Sequence, residues 1–487
     1  MPKAVVVGSG PNGLAAAVRL ARHGVGVTVL EAADGLGGGA RTTEKLVAGT
    51  LHDECSAVHP TAVLSPYLRE LGLERYGLRW RHPEVMLAHP LDDGACGVLR
   101  GSAEETAAGL PAGDGERWLR VFGPLAAHVE TTAGDLLGPL TRWPSHPLHL
   151  ARFGLRAVPP ASLMRRLWRS PATQSLFLGA AAHVMHDLHA PMTSSVAAML
   201  IAAGHRFGWP VAEGGSQAIT DALTGLLHDL GGTTETGRLV ESTSDLPEAD
   251  VVLLDTTPAS AARIFEGRLP KRVHRAYHRW RHGPAAFKVD FAVRGGVPWR
   301  NAACAAAGTV HLGGGPDEML RTTCEIQRGR MPAAPFVLVG QQYLADPSRS
   351  AGDVHPVWAY AHVPHGFTGD ATTAIIDQIE RFAPGFADEV VAFSAKNPGE
   401  LARGNPNHVG GNILTGANDP FQLVFRPRLT LHPYDTGVPG VYLCSAATPP
   451  GAGVHGMGGY HAAGRALRHL ERAKGGRIRV LQPDSGG

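Results

Sequence analysis

Six residues near the amino terminus have the types and spacing needed to hold a phosphorylated ligand. Residues 8–13 read Gly-Ser-Gly-Pro-Asn-Gly, which is the pattern GxGxxG. Its first glycine permits a tight turn, its second lets a phosphate approach the backbone, and its third lets a helix pack closely on a strand. Glu31 follows Gly13 by 18 residues and can accept hydrogen bonds from ribose hydroxyl groups. The spacing therefore predicts a dinucleotide site.

The elements around these residues are those that such a site needs. Residues 4–7 are an apolar run typical of a buried parallel strand, and residues 14–24 have the composition of a helix that ends at Gly24. Residues 25–30 form a second apolar run that leads into Glu31. This order is a βαβ unit, and it directs the helix amino terminus toward the phosphates.

A second glycine cluster distinguishes FAD from NAD. Gly37, Gly38, Gly39 and Arg41 follow the acidic residue almost at once. Backbone N–H groups and one fixed charge placed there can cover the same pyrophosphate. An NAD-binding domain does not need this addition, so the sequence favours FAD. The cofactor-binding residues predicted are Gly8, Gly10, Pro11, Asn12, Gly13, Glu31, Gly37, Gly38, Gly39, Arg41, Val240, Gly456 and Met457.

A glycine-rich loop near the carboxyl terminus is predicted to lie beneath the flavin ring. Residues 451–456 also read GxGxxG, but Pro449 and Pro450 separate them from the preceding strand, which argues against a second dinucleotide site. A helix that starts near residues 458–459 would point its amino terminus at the flavin N1/O2 edge, where reduction places negative charge. The alternative is a flexible glycine loop.

Three side chains are candidates for proton transfer. Hydride transfer to a flavin usually needs a base that takes the partner proton. His455 lies in the loop expected to face the flavin, and a nearby helix amino terminus would keep it neutral. His59 and Tyr460 rank second. For His455 the alternative is a structural histidine bonded to a backbone carbonyl.

Longer motifs resemble those of the phytoene desaturase superfamily of FAD oxidoreductases. They are the amino-terminal fingerprint, HDECSAVHP, WPVAEGGSQA, FKVDFAV, GTVHLGG, NPNHVGGNI, and TPPGAGVHGMGG after VYLCSA, and they span nearly the whole chain. Within this superfamily, the sequence resembles the bacterial branch related to pyridine nucleotide-disulphide oxidoreductase domain-containing protein 2. The resemblance implies FAD, a lipophilic substrate, and desaturase, isomerase or saturase chemistry.

Two departures from these patterns bear on the chemistry. Carotenoid desaturases carry histidine where this chain has Pro449, and their second proline position holds His455. The departure argues against carotenoid chemistry itself and leaves the flavin scaffold unaffected. The chain also lacks the vicinal cysteine pair that a disulphide reductase uses.

Composition excludes several classes of protein. The 45 basic and 43 acidic residues give a net charge of +2, which offers no case for nucleic acid binding. Five cysteines without a CxxC pair argue against a disulfide framework and a zinc site, and we expect no metal. The chain opens directly on an apolar strand, with no leader pattern, and no apolar stretch approaches the length of a membrane span. These features predict a cytoplasmic protein.

The predicted fold class is α/β. We expect a Rossmann-type, glutathione-reductase-like FAD domain with an inserted α+β substrate domain that contains an antiparallel sheet. The FAD domain is assigned to residues 1–75, 205–270 and 405–487, and the substrate or cap domain to residues 76–204 and 271–404. Residues 76–204 show no repeating strand pattern, and short strands are expected around Val240 and at residues 251–255.

One segment is unusual in charge. Between residues 136 and 186 there is no acidic residue but there are six arginines, interleaved with leucines and a tryptophan. Such a surface can contact anionic lipid as a peripheral membrane site or line the entrance for an acidic substrate. The alternative is an ordinary solvated helix of the cap domain.

The function expected from these observations is an FAD-dependent oxidoreductase. Its reaction would be the dehydrogenation or desaturation of a hydrophobic small molecule, or its isomerisation by reversible hydride transfer. Because the chain has one dinucleotide fingerprint, we expect oxygen, a quinone or another acceptor to reoxidise the flavin. Two alternatives stay open: an amine-oxidase-like flavoenzyme, and a flavin-stabilised interaction protein without turnover.

Overall fold

Two large sheets organise the part of the chain that the structure, a computed structural model, describes, which is residues 1–473. The strands of these residues are β1 (Lys3–Val7), β2 (Gly26–Leu30), β3 (Thr42–Glu44), β4 (Leu51–Asp53), β5 (Trp80–Arg81), β6 (Val85–Pro90), β7 (Cys96–Leu99), β8 (Val211–Ala212), β9 (Thr233–Glu235), β10 (Val251–Leu254), β11 (Ala285–Arg294), β12 (Ala307–Leu312), β13 (Val337–Gly340), β14 (Val354–Val363), β15 (Val390–Lys396) and β16 (Val441–Leu443).

Helices cover both sheets and connect them. They are α1 (Pro11–Arg22), α2 (Pro60–Leu64), α3 (Pro66–Glu70), α4 (Ala103–Ala108), α5 (Asp114–Leu136), α6 (Pro147–Ala157), α7 (Ala161–Met164), α8 (Pro171–Ala182), α9 (Ser194–Phe207), α10 (Gln217–Asp229), α11 (Pro258–Ile264), α12 (Lys271–His278), α13 (Ala302–Ala305), α14 (Pro316–Gln327), α15 (Thr372–Phe382), α16 (Phe386–Glu389), α17 (Pro398–Gly404), α18 (Pro420–Val424) and α19 (Met457–Ala473). Within residues 1–473, none of them combines the length and the apolar character that crossing a membrane requires.

The first sheet is parallel and has the strand order β16-β10-β1-β2-β9. Its central strand is buried on both faces, which explains the unbroken apolar run of β1. Val6 packs with residues of α1 and α19 on one face, whereas Val5 and Val7 pack with residues of α11 and α12 on the other. This arrangement confirms the predicted α/β class with a Rossmann-like domain.

The second sheet is mixed and has the order β15-β11-β14-β13-β12-β6-β7. Its strand pairs are antiparallel except β12 and β6, which run parallel, so the expectation of an antiparallel sheet was incomplete. Residues 76–204, in which the sequence shows no repeating strand pattern, contain β5, β6 and β7. Every residue of β6 is buried, and a strand buried on both faces lacks the alternation that would reveal it in a sequence.

Three element boundaries also differ from the expected ones. Val240 lies outside any strand, and the nearby strand is β9, a polar edge strand of three residues. The carboxyl-terminal strand β16 is shorter than predicted, and α19 begins at Met457 rather than at residues 458–460.

The strands of the first sheet fall within residues 1–75, 205–270 and 405–473, and those of the second within 76–204 and 271–404. The remainder of the assigned FAD domain, residues 474–487, lies outside the described residues.

Candidate functional site

The turn between β1 and α1 is closed so tightly that its glycines leave no room for side chains. A Cβ atom at Gly13 would overlap the carbonyl oxygen of Gly8, and one at Gly10 would lie 2.6 Å from Asp255 Oδ2. The backbone N–H groups of Gly10 and Asn12 have no acceptor among the described residues. Two unpaired donors at a helix amino terminus form a site suited to a phosphate group.

Glu31 is held at the end of β2 in a fixed position. Its Oε2 accepts hydrogen bonds from the backbone N–H of Ser9 (2.9 Å) and from Ser9 Oγ (2.6 Å), and its Oε1 accepts one from the Ala33 N–H (2.9 Å). The predicted ribose-binding carboxylate therefore lies directly beside the fingerprint loop.

The second glycine cluster packs onto the first. The Gly37 N–H donates to Ser9 Oγ (2.9 Å), and a Cβ atom at Gly38 would lie 3.1 Å from the Gly10 Cα. Arg41 is anchored at this loop by backbone carbonyls. Its Nε donates to the Gly38 carbonyl (2.9 Å) and its Nη2 to the Gly404 carbonyl (3.0 Å), so its charge is fixed beside the second glycine cluster.

Val240, expected among the cofactor-binding residues, lies beside the end of β2. The Arg238 N–H donates to the Glu31 carbonyl (2.8 Å), which aligns the segment before Val240 with that strand end. Val240 is buried in the same apolar cluster as Leu30. The structure thus places it near the predicted ribose-binding carboxylate although it belongs to no strand.

A buried carboxyl group under the fingerprint loop was not anticipated. Asp255 directly follows β10, and its Oδ2 accepts a hydrogen bond from the Gly13 N–H (2.9 Å). The side chain of Asn407 donates to the Asp255 carbonyl (2.9 Å). Burial raises the pKa of Asp255 to about 7, and the charge of Glu31 acts in the same direction. The signal that could have identified Asp255 is its place at the carboxyl end of a parallel strand, where ligands bind in such sheets.

We expect Asp255→Asn to stabilise the protein at alkaline pH. The unfolded side chain ionises near pH 3.9, so as pH rises from about 4 to about 7 the unfolded state loses its proton first and the free energy of unfolding falls. Asn cannot ionise, yet its side-chain oxygen can accept from the Gly13 N–H. The variant should exceed wild type by up to about 4 kcal/mol near pH 8 and lose this advantage near pH 4. Urea unfolding at both pH values measures it, and an equal difference at both would contradict the assignment.

Replacing Glu31 by Ala should weaken FAD binding by about 1.5–3 kcal/mol, or roughly 10- to 100-fold, because a charge-assisted hydrogen bond is lost. Quenching of flavin fluorescence during titration of the apoprotein gives the dissociation constant. Glu31→Gln is a comparison variant that keeps one acceptor oxygen, loses the charge and sets an NH2 group against the donors of Ser9 or Ala33. An unchanged dissociation constant in the Ala variant would show that Glu31 does not reach the ribose.

The carboxyl-terminal loop packs against the fingerprint helix. A Cβ atom at Gly456 would lie 2.7 Å from the Ala15 Cβ, so the loop touches α1. The first N–H groups of α19 are already occupied: those of Gly458 and Gly459 donate to Asn12 Oδ1 (3.1 and 3.4 Å). The helix end predicted to point at the flavin edge therefore has no free N–H donor at these two residues.

His455 is buried in this loop, but its hydrogen bond argues against the predicted base. Its Nδ1 accepts from the Met457 N–H (3.1 Å), so the neutral ring carries its proton on Nε2. No group of the described residues meets hydrogen-bond geometry with Nε2, although the Gly451 carbonyl is near enough to the ring to act on its pKa. Burial lowers the pKa of His455 to about 4, with the Gly451 carbonyl acting in the opposite direction. The side chain thus offers a buried donor that fits an acceptor atom of a ligand.

His59 has the complementary arrangement. Its Nε2 lies 3.0 Å from Ser216 Oγ, and that hydroxyl donates its own proton to the Ser56 carbonyl (2.5 Å). The His59 proton is therefore on Nε2, which leaves an unpaired lone pair on the buried Nδ1. Burial lowers the pKa of His59 to about 4, against the charge of Asp53. The Ser56 N–H donates to the Gly39 carbonyl (3.0 Å), which links this histidine to the second glycine cluster.

A buried ion pair that sequence reasoning missed holds this region together. Asp53 Oδ1 accepts from the Ser216 N–H (2.7 Å), and its Oδ2 accepts from Arg349 Nη1 (2.5 Å). Burial acts to raise the pKa of Asp53, but the Arg349 guanidinium and the hydrogen bonds hold it below its usual value. Arg349 also bonds Asp346 and the Ala212 carbonyl. No local pattern links residues 296 positions apart, so only the fold reveals the pair.

Tyr460 lies in a different environment from the two histidines. Its ring packs against that of Tyr67 at an angle of 45°, with centroids 4.8 Å apart, and the Arg19 guanidinium lies 3.6 Å from its ring centroid. Arg19 belongs to α1 and Tyr67 to α3, so Tyr460 packs where these two helices meet α19. The structure therefore gives it packing contacts and no group that would activate it as a base.

The second sheet presents a partly polar, aromatic face toward the rest of the molecule. Trp358, Tyr360 and His362 alternate along β14 on this face, while the intervening residues enter a separate apolar cluster. Tyr360 lies within electrostatic range of Cys55, and a Cβ atom at Gly39 would lie 3.7 Å from the Cys55 Cβ. Strand β14 also packs against β4, which ends shortly before Cys55, so this sheet lies near the second glycine cluster.

Cysteine and metal chemistry find no support in the described residues. All five cysteines are unpaired, and burial raises the pKa of Cys55 to about 11, which keeps it a thiol. Residues 1–473 hold no group of three ligating side chains placed for a metal ion. His183, which the sequence places near two other histidines, pairs instead with His311, their Nε2 atoms 3.1 Å apart.

The two glycine loops (residues 8–13 and 37–39) and Glu31, which together we call the cradle, fit a dinucleotide cofactor. It offers two unpaired backbone donors for a pyrophosphate, a fixed carboxylate for a ribose, and a second glycine loop that closes over the first. The buried His455 Nε2 adds a donor that has no acceptor within the described chain. FAD is the dinucleotide that this donor set and the second cluster fit.

Comparisons with known proteins agree with the fold. The NAD(P)-binding Rossmann-like domain family matches residues 6–71. The chain is 26% identical to pyridine nucleotide-disulfide oxidoreductase domain-containing protein 2 of Mus musculus, over 96% of this chain and 94% of that protein. It is also similar to putrescine oxidase solved with putrescine (17% identity, TM-score 0.58, 97% of this chain, 99% of that chain). A similar solved structure is the CLA-producing fatty acid isomerase from P. acnes (13% identity, TM-score 0.57, 96% of this chain, 98% of that chain). Residues 6–71 therefore form a Rossmann-like dinucleotide-binding domain within a fold shared with these two proteins.

Proposed function

We propose that the protein is an FAD-dependent oxidoreductase that dehydrogenates, desaturates or isomerises a hydrophobic small molecule. The observation that carries the proposal is the packing of the second glycine loop onto the first, beside a fixed carboxylate at the strand end. The aromatic face of β14, a strand that also packs against β4, supports an apolar substrate. The glutathione-reductase-like arrangement and the phytoene-desaturase-like type are part of the same proposal, and the sequence motifs support them.

Different residues of the chain bind different parts of the cofactor. The N–H groups of Gly10 and Asn12 bind the pyrophosphate, and Glu31 accepts from the ribose. When bound, FAD supplies an acceptor for a hydride. The buried Trp358 and Tyr360 exclude water from the substrate side, which favours an apolar substrate.

Two histidines handle the proton in this proposal. His59 Nδ1 carries the unpaired lone pair and takes the proton that leaves the substrate with the hydride. His455 Nε2 donates a hydrogen bond to an oxygen or nitrogen atom of the bound ligand that gains negative charge during the reaction. We therefore place the base at His59, which ranked second from the sequence, rather than at His455, because the hydrogen-bond partners leave a free lone pair on His59 alone.

The known structures favour two kinds of substrate. The similarity to a fatty acid isomerase supports a lipid whose double bonds are formed or moved. The similarity to putrescine oxidase and to cyclohexylamine oxidase favours, as a second candidate, an amine substrate. A cytoplasmic location and reoxidation by oxygen, a quinone or another acceptor complete the proposal.

Anaerobic mixing with candidate substrates tests the proposal. We expect an unsaturated fatty acid or another apolar polyene either to bleach the oxidised flavin or to be recovered as a positional isomer. Bleaching by primary amines alone would support the amine-oxidase candidate. A folded, flavin-loaded protein that no member of either class reduces or isomerises would contradict the proposal and favour an interaction protein without turnover.

A further inference from the structure

Seven large apolar side chains are exposed within a stretch of 28 residues. Trp143 is 85% exposed, Leu148 76% and Leu155 70%. The other members of this group, which we call the 140–167 surface, are Leu140, Val158, Leu163 and Leu167. The described chain has only eight other exposed large apolar residues, spread between Met1 and Leu431. Scattered apolar residues need no explanation, whereas a concentration such as this one marks an interaction surface.

Helix α6 carries the centre of this surface, and it has apolar side chains on its exposed face as well as on its buried face. After the exposed Pro147 at its first position, its exposed residues are Leu148, Ala151, Arg152 and Leu155, which follow the helical spacing i, i+3, i+4 and i+7. The opposite face, which includes Phe153 and Ala157, packs toward α5 and α9. A surface helix normally turns its leucines inward, so the outward leucines need a partner outside the folded chain.

Arginines dominate the charges around this surface. Residues 136–186 contain six arginines and no acidic residue. Two acids from outside the segment bind its backbone: Asp135 accepts from the N–H groups of Ser145 and His146 and lies 3.8 Å from Arg142, and Asp114 accepts from the N–H groups of residues 169 and 170. Both carboxylates are buried. The exposed side of the segment is therefore apolar and positively charged.

A basic groove continues the surface on one side. Leu163, Arg165 and Arg166 line it together with residues of α14, and its volume is about 580 Å³. Three further arginines, Arg321, Arg328 and Arg330, complete its rim. Arg165 pairs with Asp317 (2.7 Å), but the arginines outnumber Asp317 and Glu325 in the lining. A groove of this charge suits a phosphate-bearing group.

We propose that the 140–167 surface binds an anionic phospholipid bilayer, with α6 lying in the plane of the membrane. Leucines directed outward can enter the acyl boundary, a strongly exposed tryptophan suits the interfacial layer, and arginines at the same surface bind lipid phosphates. Charge complementarity selects the membrane over a second copy of this chain, because a second copy would bring a like-charged surface. The proposal does not depend on the redox function.

Vesicle co-sedimentation of the full chain tests the proposal. We expect binding to phosphatidylcholine vesicles that contain phosphatidylglycerol, little binding to pure phosphatidylcholine, and a loss of binding as salt screens the arginines. A Trp143→Ser, Leu148→Ser, Leu155→Ser variant should bind at least about tenfold more weakly. An Arg152→Glu, Arg166→Glu, Arg169→Glu variant should bind about 100-fold more weakly, because each arginine near an anionic surface contributes about 1 kcal/mol.

Matched variants elsewhere on the surface serve as controls. Phe421→Ser, Leu429→Ser, Leu431→Ser removes exposed apolar groups of similar size, and Arg75→Glu, Arg272→Glu, Arg279→Glu reverses the same number of exposed charges. Both controls should bind vesicles much as wild type does. Absence of binding to anionic vesicles at low salt, or equal losses in test and control variants, would overturn the proposal. The proposal would also be overturned if the wild-type protein were a dimer that bound no vesicles and the triple variant Trp143→Ser, Leu148→Ser, Leu155→Ser were a monomer.

Discussion

Replacing His59 by Gln should slow reduction of the bound flavin by about 10²–10⁴-fold, the usual contribution of a general base. Gln can still donate from its amide nitrogen to Ser216 Oγ, but it has no basic lone pair in place of Nδ1. FAD affinity should stay close to that of wild type. Stopped-flow measurement of a single anaerobic turnover isolates this step from reoxidation.

The pH dependence of the same rate gives a second readout. Because burial lowers the pKa of His59 to about 4, the neutral ring predominates above that pH. The wild-type rate should therefore rise as pH increases through about 4 and stay level near neutrality, and the His59→Gln variant should lose this dependence. A variant that reduces its flavin at the wild-type rate would make His59 structural.

His455→Asn separates the two histidines. The Asn side-chain oxygen can replace Nδ1 as acceptor for the Met457 N–H, so the cap of α19 is kept while the Nε2 donor is lost. We expect a slower rate without the pH dependence assigned to His59. If His455→Asn removes that pH dependence and His59→Gln does not, the base is His455 and the roles stated above are wrong.

Gly10→Val should abolish FAD binding. Its Cβ atom alone would lie 2.6 Å from Asp255 Oδ2, and the added methyl groups would fill the path of the pyrophosphate above Gly38. Flavin content after reconstitution of the purified variant measures the effect. Gly35→Val is the matched control, because a Cβ atom there meets nothing within 4 Å and should leave FAD bound.

A second variant distinguishes loss of the site from loss of the fold. Gly10→Val combined with Asp255→Ala removes the carboxylate that the new side chain would strike. This double variant should fold and still lack flavin, because the pyrophosphate path stays blocked. Stoichiometric FAD in either variant would contradict the assignment of the fingerprint.

Local parts of the site could be predicted because they depend on local spacing. The glycines from Gly8 to Gly13, the strand before them and Glu31 lie in one βαβ unit, whose geometry follows from consecutive residues. The second glycine cluster was predicted to cover the same pyrophosphate. Its distance from the first loop could not be predicted, because it depends on packing between residues 28 positions apart, such as Gly10 and Gly38.

The parts that could not be predicted depend on long-range contacts or on proton positions. Asp255 meets Gly13 across 242 positions of sequence, and Arg349 meets Asp53 across 296. Strand β6 was missed because it is buried on both faces. The choice between His59 and His455 rests on which ring nitrogen each hydrogen-bond partner occupies, which residue type and spacing do not specify.

The most direct test of the central claim is the identity and amount of cofactor that the purified chain retains after reconstitution. The account predicts one FAD per chain, released into the supernatant by acid precipitation, because no His or Cys is placed by motif to form a covalent flavin bond. It also predicts that an excess of NAD or NADP leaves the bound flavin in place. A folded chain that binds NAD or NADP and takes up no FAD would contradict it.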